Sequence, residues 1–153
     1  MIKIIVPGKP IAKRRPRFFR RGDHVGTYSD QKTEEGQFLI QAMAQLGYPT
    51  QVMFGPDVPL RLVVQFYFPY PSSMSRKKIL SNPPHLKKPD LDNCIKFVKD
   101  VFNGAVWSDD RQVIAISSSK AYDAQARTEI YVSYPAWASP FNKEERTQDG
   151  NHP

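Results

Sequence analysis

The feature that most constrains the fold is a strictly alternating segment in the middle of the chain. Between residues 60 and 68 every second side chain is apolar, and Arg61, Gln65 and Tyr67 stand among the residues between them. Successive side chains of a β-strand point to opposite faces, so this pattern predicts a strand with one face on a core. The chain must therefore build a sheet that is covered on at least one side.

A second segment, which follows Asp92, has the apolar spacing of an amphipathic helix. Asp92 or Asn93 can cap its start, and Gly104 can take the position just after its last turn. The polar side chains of this segment fall on the opposite face. The predicted buried face consists of Cys94, Ile95, Val98, Val101 and Phe102.

The other elements follow from shorter signals. We expect a strand over residues 2–6. Residues 9–26 are expected to form a basic loop, because Pro10 and Pro16 disfavour a helix. A helix is expected from an N-cap at Ser29 to Gly47. Residues 69–89 predict a loop that has room for a helical turn at 76–80. Residues 113–122 and 128–134 predict two strands joined as an antiparallel hairpin.

These elements alternate between strands and helices, which indicates an α/β (α+β) domain with a mixed β-sheet and two main helices. Its expected extent is residues 1–134, and residues 135–153 form a polar tail in which Trp137 and Phe141 can dock. A chain of 153 residues fits a single domain. The start is too short and too alternating for a signal peptide, so we expect a cytoplasmic protein without a membrane partner.

Charge points to the kind of partner. The chain has 22 Lys and Arg against 15 Asp and Glu, a formal net charge of +7, and a basic protein attracts polyanions. The single cysteine, Cys94, cannot form an internal disulfide, so folding does not depend on oxidation. A basic protein without a specific ligand is the plainer alternative.

Two basic segments are candidates for contacts with the DNA backbone. Phe18, Phe19 and Tyr28 lie in or beside the first segment and could stack on exposed bases, although packing beneath the loop is an equal alternative. The expected DNA-binding residues are Lys13, Arg14, Arg15, Arg17, Arg20, Arg21, Arg76, Lys77, Lys78, Lys87 and Lys88.

Acidic residues are concentrated directly after the second basic segment. No acidic residue occurs from residue 58 to residue 89, and five of the fifteen then fall within about twenty positions. This contrast is the most informative feature for function. The five are Asp90, Asp92, Asp100, Asp109 and Asp110.

The spacing of these acids suits a divalent cation. If residues 89–93 remain extended, Asp90 and Asp92 point to the same side with Cα atoms roughly 6.6 Å apart. Mg²⁺ accepts one or two carboxylates together with phosphate oxygens. Asp110 is the expected third carboxylate, with Asp109 in reserve. Lys96, one helical turn after Asp92, could bind the scissile phosphate or stabilise transition-state charge.

Each of these residues also has a simpler interpretation. An isolated Asp-x-Asp is usually a helix start with a solvated acid, and Asp109-Asp110 alone reads as a turn. Lys96 alone reads as part of a solvated helix face. The combination of these residues within a basic surface favours a catalytic site over these alternatives.

At these positions the sequence resembles the RusA family of Holliday junction resolvases. The resemblance covers residues 1–134 and includes the basic, aromatic N-terminal loop; a prophage-type member is the nearest description. The residues that carry it are Lys88, Pro89, Asp90, Leu91, Asp92, Asn93, Lys96, Asp100, and Trp107, Ser108, Asp109, Asp110, Arg111, Gln112 and Val113.

The resemblance implies a homodimer that uses Mg²⁺ or Mn²⁺ to cut four-way DNA junctions by paired, symmetrical nicks. It also implies that Asp90, Asp92 and Asp110 are the catalytic carboxylates that hold the metal, and that Lys96 is the essential lysine. One departure is Pro89, which stands where well-studied members have an arginine. The phosphate contact of that arginine is therefore expected to pass to Lys88.

Two rival functions stay open from the sequence. One is a non-catalytic nucleic-acid-binding module, for which the aspartates would be structural. The other is a metal-dependent nuclease that acts on other branched DNA or on single strands. The acidic cluster with Lys96 favours an enzyme over a binding module, but it does not choose between the two substrates.

Overall fold

The computed structural model describes residues 1–28 and 30–138. The two main helices and the strands appear in the predicted order, with one additional pair of strands near the N-terminus. The elements are β1 Ile2–Pro7, β2 Arg17–Arg21, β3 His24–Tyr28, α1 Lys32–Gln45, β4 Leu60–Pro69, α2 Arg76–Leu80, α3 Leu91–Phe102, a 3-10 helix Asp110–Gln112, β5 Val113–Asp123, β6 Arg127–Ser133 and a second 3-10 helix Ala136–Ala138.

The main sheet has four strands in the order β1-β6-β4-β5. β6 is antiparallel to both β1 and β4, whereas β5 runs parallel to β4, so the sheet is mixed as predicted. On β4 the alternation predicted from the sequence is present, because Leu60, Leu62 and Val64 are fully buried and their neighbours are not. The predicted α+β class is therefore confirmed.

Helices α1 and α3 pack on each other and against the sheet through one shared core. Phe38 of α1 meets Phe97 of α3 edge-to-face, with ring centroids 5.3 Å apart. Each fully buried side chain of this size contributes on the order of 1.5–3 kcal/mol. The prediction omitted Phe97, which is fully buried, and included Ile95, which is only partly buried. The buried residues of α3 are Cys94, Phe97, Val98, Val101 and Phe102.

The helix ends agree with the prediction at one end only. α3 begins at Leu91 with Asp90 as its N-cap residue, so the prediction of a cap at Asp92 or Asn93 was wrong. Gly104 follows the C-cap with φ of 76°, the left-handed conformation expected of it. For α1 the N-cap residue is Gln31, and the expected cap, Ser29, lies outside the described residues.

The prediction that residues 113–134 form a hairpin was wrong. β4 lies between β5 and β6, so these strands are neighbours in sequence but not in the sheet. The two strand spacings that separate them amount to roughly 10 Å, which the three linking residues can span. A short connection therefore did not imply direct pairing.

The prediction of an uninterrupted loop over residues 9–26 was also wrong in its second half. β2 and β3 form a separate two-stranded antiparallel hairpin in which Phe19 pairs with Gly26. Gly22 and Asp23 make the turn, and Gly22 has φ of 61°. Gly-Asp between two short runs is a known hairpin signal, which the prolines and the basic charges concealed.

The helical turn expected at 76–80 is present as α2, and Ser75 caps it by accepting a hydrogen bond from the Lys78 amide. Trp137 lies in the 3-10 helix after β6 and is largely exposed. The remaining tail, with Phe141, lies outside the described residues. Within residues 1–28 and 30–138, no helix combines the length and the apolar character needed to cross a membrane.

Candidate active site

The first turn of α3 presents two carboxylates to solvent. Asp90 holds the N-cap position in an extended conformation, with φ of −71° and ψ of 145°, but its side chain does not cap the helix. Asp92 lies within the first turn and is also exposed. Because the helix begins at Leu91, the assumption that residues 89–93 are extended throughout was wrong. Negative charge is favourable here, at the positive end of the helix dipole.

Both carboxylates are uncommitted. Neither the Asp90 nor the Asp92 carboxylate forms a hydrogen bond or an ion pair with another described residue. Lys96 lies one turn after Asp92, as predicted, and is likewise exposed without an ion-pair partner among the described residues. These three side chains are free to meet a ligand.

Asp110, by contrast, is held in place by neighbours. The Trp107 indole N–H donates a hydrogen bond to Asp110 Oδ1 at 2.9 Å. Lys99 Nζ lies 3.9 Å from the other carboxylate oxygen, Oδ2. Trp107 itself is fully buried, so it supplies a rigid support for the carboxylate.

Asp109 is occupied with local structure. Its Oδ1 accepts a hydrogen bond from the Arg111 amide at 2.8 Å, while its own amide donates to Gln112 Oε1 at 2.9 Å. Hydrogen bonds from the Arg111 backbone and side chain hold the pKa of Asp109 below its usual value. This capping arrangement fixes the turn before β5, which makes Asp110 the better candidate of the two.

The three candidate acids do not form a ready-made metal cluster. Across residues 1–28 and 30–138, no group of three His, Cys, Asp or Glu side chains is placed to hold a metal ion. Asp110 is next to Lys99, and Lys99 lies roughly 10 Å further along the α3 axis than Asp92. Asp90 and Asp92 thus sit at the start of α3, and Asp110 contacts a lysine that follows Asp92 by about two turns.

The pKa of Cys94 reflects burial and the charges near the start of α3. Burial, followed by the negative charges of Asp92 and Asp90, raises the pKa of this thiol to about 11, whereas Lys120 acts in the opposite direction. The two aspartates and Lys120 therefore have opposite effects on the pKa of this thiol. The thiol itself faces the core and does not belong to the exposed acidic pair.

A cleft of about 890 Å³ opens beside Asp90. The segment between β1 and β2 forms one side, and the residues before α3 form the other. The cleft has a basic lining with acidic groups at Asp90 and Glu34, as expected of a surface that receives a polyanion. Its charged and polar lining residues are Lys9, Lys13, Arg14, Arg15, Glu34, Lys88, Asp90 and Asn93.

Some of the predicted DNA-binding residues already have protein partners. Lys13 Nζ contacts Glu35 at 2.8 Å and Asp100 at 3.0 Å, so it ties α1 to α3. Arg14 pairs with Glu34 at 2.9 Å, and Arg20 donates to a backbone carbonyl. Arg17 pairs with Asp30 at 3.2 Å.

The other predicted DNA-binding residues are exposed and form no ion pair with another described residue. Arg15 and Lys88 line the cleft, whereas Lys78 and Lys87 line a separate pocket. These residues are better placed than Lys13 to reach DNA phosphates. They are Arg15, Arg21, Arg76, Lys77, Lys78, Lys87 and Lys88.

Sequence reasoning missed three side chains near the site. Trp107 and Lys99 contact Asp110, and Lys120 donates hydrogen bonds to the backbone just before Asp90. Trp107 stands only three residues before Asp110, a spacing that could have suggested the contact. No local sequence pattern indicated Lys120, because it lies close to Asp90 only through the packing of β5 beside α3.

Comparison with known proteins identifies the class. A family model described as endodeoxyribonuclease RusA matches residues 7–133, which include every candidate acid and Lys96. The class is thus that of DNA-cleaving endonucleases, in agreement with a basic cleft that is lined by the free carboxylate of Asp90. The chain belongs to the RusA family of endodeoxyribonucleases, since the match extends over most of its length.

A relative from Bacillus subtilis (strain 168), described as uncharacterized protein YqaN, is also similar. It is 32% identical over 137 residues, which cover 86% of this chain and 94% of the relative. The similarity thus extends over nearly the whole of both proteins.

Proposed function

We propose that this protein is a Mg²⁺-dependent endodeoxyribonuclease that resolves Holliday junctions by paired, symmetrical nicks during DNA recombination and repair. Mn²⁺ is expected to replace Mg²⁺. One observation carries the proposal: Asp90 and Asp92 are exposed and uncommitted at the start of α3, and Asp90 lines a basic cleft. A binding module has no need of free carboxylates there, since they repel DNA.

The side chains available suit magnesium. Carboxylate oxygens are hard ligands, and Mg²⁺ in nucleic-acid enzymes is usually held by one or two carboxylates together with waters and substrate phosphates. Asp90 and Asp92 would hold the ion, and Asp110 would have to approach them when metal and DNA bind in order to serve as the third carboxylate. When bound, the metal supplies an acidified water and offsets negative charge on the phosphate oxygens.

The chain's own residues supply orientation and charge. Lys96, exposed one turn beyond Asp92, is proposed to bind the scissile phosphate and to stabilise charge in the transition state. The Trp107 indole fixes the orientation of the Asp110 carboxylate. The free cations beside the cleft, among them Arg15 and Lys88, would bind neighbouring phosphates.

We further propose that two copies act together as a homodimer, because paired nicks in opposed strands require two active sites. Residues 1–134 would form the catalytic domain, and residues 135–153 an appended tail. We expect the enzyme to act on junctions in the cytoplasm.

The test is cleavage of labelled synthetic four-way junctions with Mg²⁺, with Mn²⁺ and with a chelator. We expect symmetrical paired nicks only when a metal is present. Asp92→Asn should abolish nicking yet retain or tighten junction binding, because the substitution removes a negative charge near DNA. Asp90→Asn and Asp110→Asn should behave in the same way.

A matched control for Asp90 and Asp92 is Asp57→Asn, which removes the same charge from an exposed loop residue that lines a different pocket from Asp90. Asn tolerates the positive φ of 65° at this position, and cleavage should be unchanged. Cleavage of flaps or single strands in preference to junctions would support the second nuclease function instead. Junction binding without metal-dependent cleavage would support a binding module, and normal cutting by Asp92→Asn would disprove the site assignment.

A further inference from the structure

Lys120 of β5 makes an unusual connection to the start of α3. It pairs with Phe66 of β4, which places its side chain on the sheet face that carries the core and the helices. Its ammonium group donates to the carbonyl oxygen of Lys87 at 2.7 Å and to that of Pro89 at 2.9 Å. Among the described residues it forms no ion pair with a carboxylate.

The second of these hydrogen bonds acts directly on Asp90. The carbonyl of Pro89 and the amide of Asp90 belong to one peptide unit, which is planar. Fixing this carbonyl therefore also fixes the position of the Asp90 Cα. The Asp90 carbonyl accepts a hydrogen bond from the Cys94 amide, so the helix holds the Asp90 backbone on one side and Lys120 holds it on the other.

A second observation places the Lys120 side chain beneath the start of α3. Lys120 is only partly exposed, and its strand β5 packs against α3. The ammonium group thus lies on the inner side of the helix start, whereas the two carboxylates are exposed to solvent. From there it can hold the backbone without occupying the space in which DNA and metal would bind.

We propose that Lys120 is a positioning residue, which holds the Lys87–Pro89 backbone so that Asp90 is correctly placed to bind the divalent cation. This inference rests on the proposed function, because it assumes that Asp90 is a metal ligand. Losing the two hydrogen bonds should displace the carboxylate. Small displacements of a reacting group can lower a rate by about a hundredfold.

The test compares Lys120→Met, which keeps the chain length but removes the donors, with Lys120→Arg, which keeps donors and charge. Mn²⁺ affinity is measured without DNA by electron paramagnetic resonance, and kcat and KM are measured on four-way junctions. For Lys120→Met we expect weaker Mn²⁺ binding and a kcat lower by about 10- to 100-fold, with little change in KM. Lys120→Arg should restore part of both losses.

Lys32→Met is the matched control, because it removes the same charge from an exposed position in the first turn of α1. It should leave Mn²⁺ affinity and kcat unchanged. Thermal unfolding is recorded for every variant, and Lys120→Leu, which also lacks donors, takes the place of a Met variant that does not fold. Wild-type Mn²⁺ affinity and kcat in a folded Met or Leu variant would overturn the inference.

The outcomes also separate this inference from the proposed function. A wild-type protein that binds Mn²⁺ but cuts no branched DNA would disprove the proposed substrate, and the Mn²⁺ affinities alone would then decide the role of Lys120. A wild-type protein that neither binds Mn²⁺ nor cuts DNA would overturn both proposals.

Discussion

Cys94 lies one turn into α3, close to Asp90 and Asp92 in sequence but facing the core. It is fully buried, and burial together with the two nearby carboxylates raises its pKa to about 11 from a reference value of 9.0. The reactive form of cysteine is the thiolate. A shift of this size leaves about a hundredfold less thiolate at mildly alkaline pH.

We therefore expect Cys94 to react slowly with iodoacetamide in the folded protein and rapidly after denaturation in guanidinium chloride. Mass spectrometry of timed samples measures the two rates. Because a buried thiol is also shielded from the reagent, the difference should exceed the hundredfold expected from pKa alone. Rapid, complete alkylation of the native protein would show that the α3 start is open to solvent.

At the level of single residues, the exposed members of the candidate site could be proposed from the sequence, but the residues that contact them could not. Asp90, Asp92 and Lys96 lie within seven positions, so local spacing was enough to associate them. Lys120 lies thirty-one residues beyond Pro89 in the chain, and its hydrogen bond depends on how the strands are ordered. Helix spacing alone does not contain that information.

Among the elements, α1 and α3 are joined by a cation that was expected to bind DNA. Lys13 contacts Glu35 of α1 and Asp100 of α3, and its amide donates to the Asn93 carbonyl. Burial lowers the pKa of Lys13, but the hydrogen bonds that Lys13 donates to Glu35 and Asp100, together with their negative charges, raise it by more, so the net shift is upward. This pattern indicates a structural role.

Lys13→Met should therefore lower stability more than DNA affinity. Each part-buried ion pair is expected to contribute roughly 0.5–1 kcal/mol, and thermal unfolding measures the loss. A lysine whose pKa is raised by folding stabilises the protein below its unfolded value and loses this effect as the pH rises through the folded value. The difference between the variant and the wild type should hence shrink only above about pH 10.5.

The β2–β3 hairpin exposes the ring of Phe18 to solvent and packs the ring of Phe19 against its own backbone. Phe18 is 77% exposed, whereas Phe19 lies across Gly26, where an added Cβ would come within 2.6 Å of its ring. Adjacent strand residues point to opposite faces. Phe18 is thus the better candidate to stack on an unpaired base at a junction.

Phe18→Ala is expected to weaken binding to four-way junctions by about 1–3 kcal/mol, the usual contribution of a base–aromatic stack. Binding to plain duplex should change little, because phosphate contacts dominate there. Fluorescence anisotropy with both DNA forms provides the measurement, and Ile40→Ala, another exposed apolar residue, is the control. Equal losses on junction and duplex would argue against stacking.

Elements with strong internal periodicity were predictable, and their pairing was not. The alternation of residues 60–68 and the apolar face of residues 91–102 reflect burial on one side, a property that each segment displays by itself. The order of the strands depends on how far a connection reaches in space. For this reason the short link between β5 and β6 was interpreted as a hairpin although it passes the end of β4.

For the whole molecule, the net charge of +7 should appear as a strong dependence of DNA binding on salt. The slope of log affinity against log salt is about −0.9 for each phosphate contacted on duplex DNA. Removing one phosphate-binding cation should reduce the slope by about one contact.

Arg15→Ala and Lys88→Ala, both at the cleft, should each produce that reduction in filter-binding titrations at several salt concentrations. Lys3→Ala should not, because this lysine lies over the Tyr131 ring on the other face of the sheet. A reduced slope for Lys3→Ala and an unchanged slope for the other two would place the DNA on the opposite side of the protein.

The parallel pairing of β4 with β5 has a consequence for how such an enzyme can change. Parallel neighbours need a long crossover, and here residues 70–112 supply all three candidate acids, Lys96 and the second basic segment. The sheet fixes only the two ends of this crossover segment. The length and charge of this segment can therefore differ between relatives. Such differences would change the preferred substrate without changing the sheet.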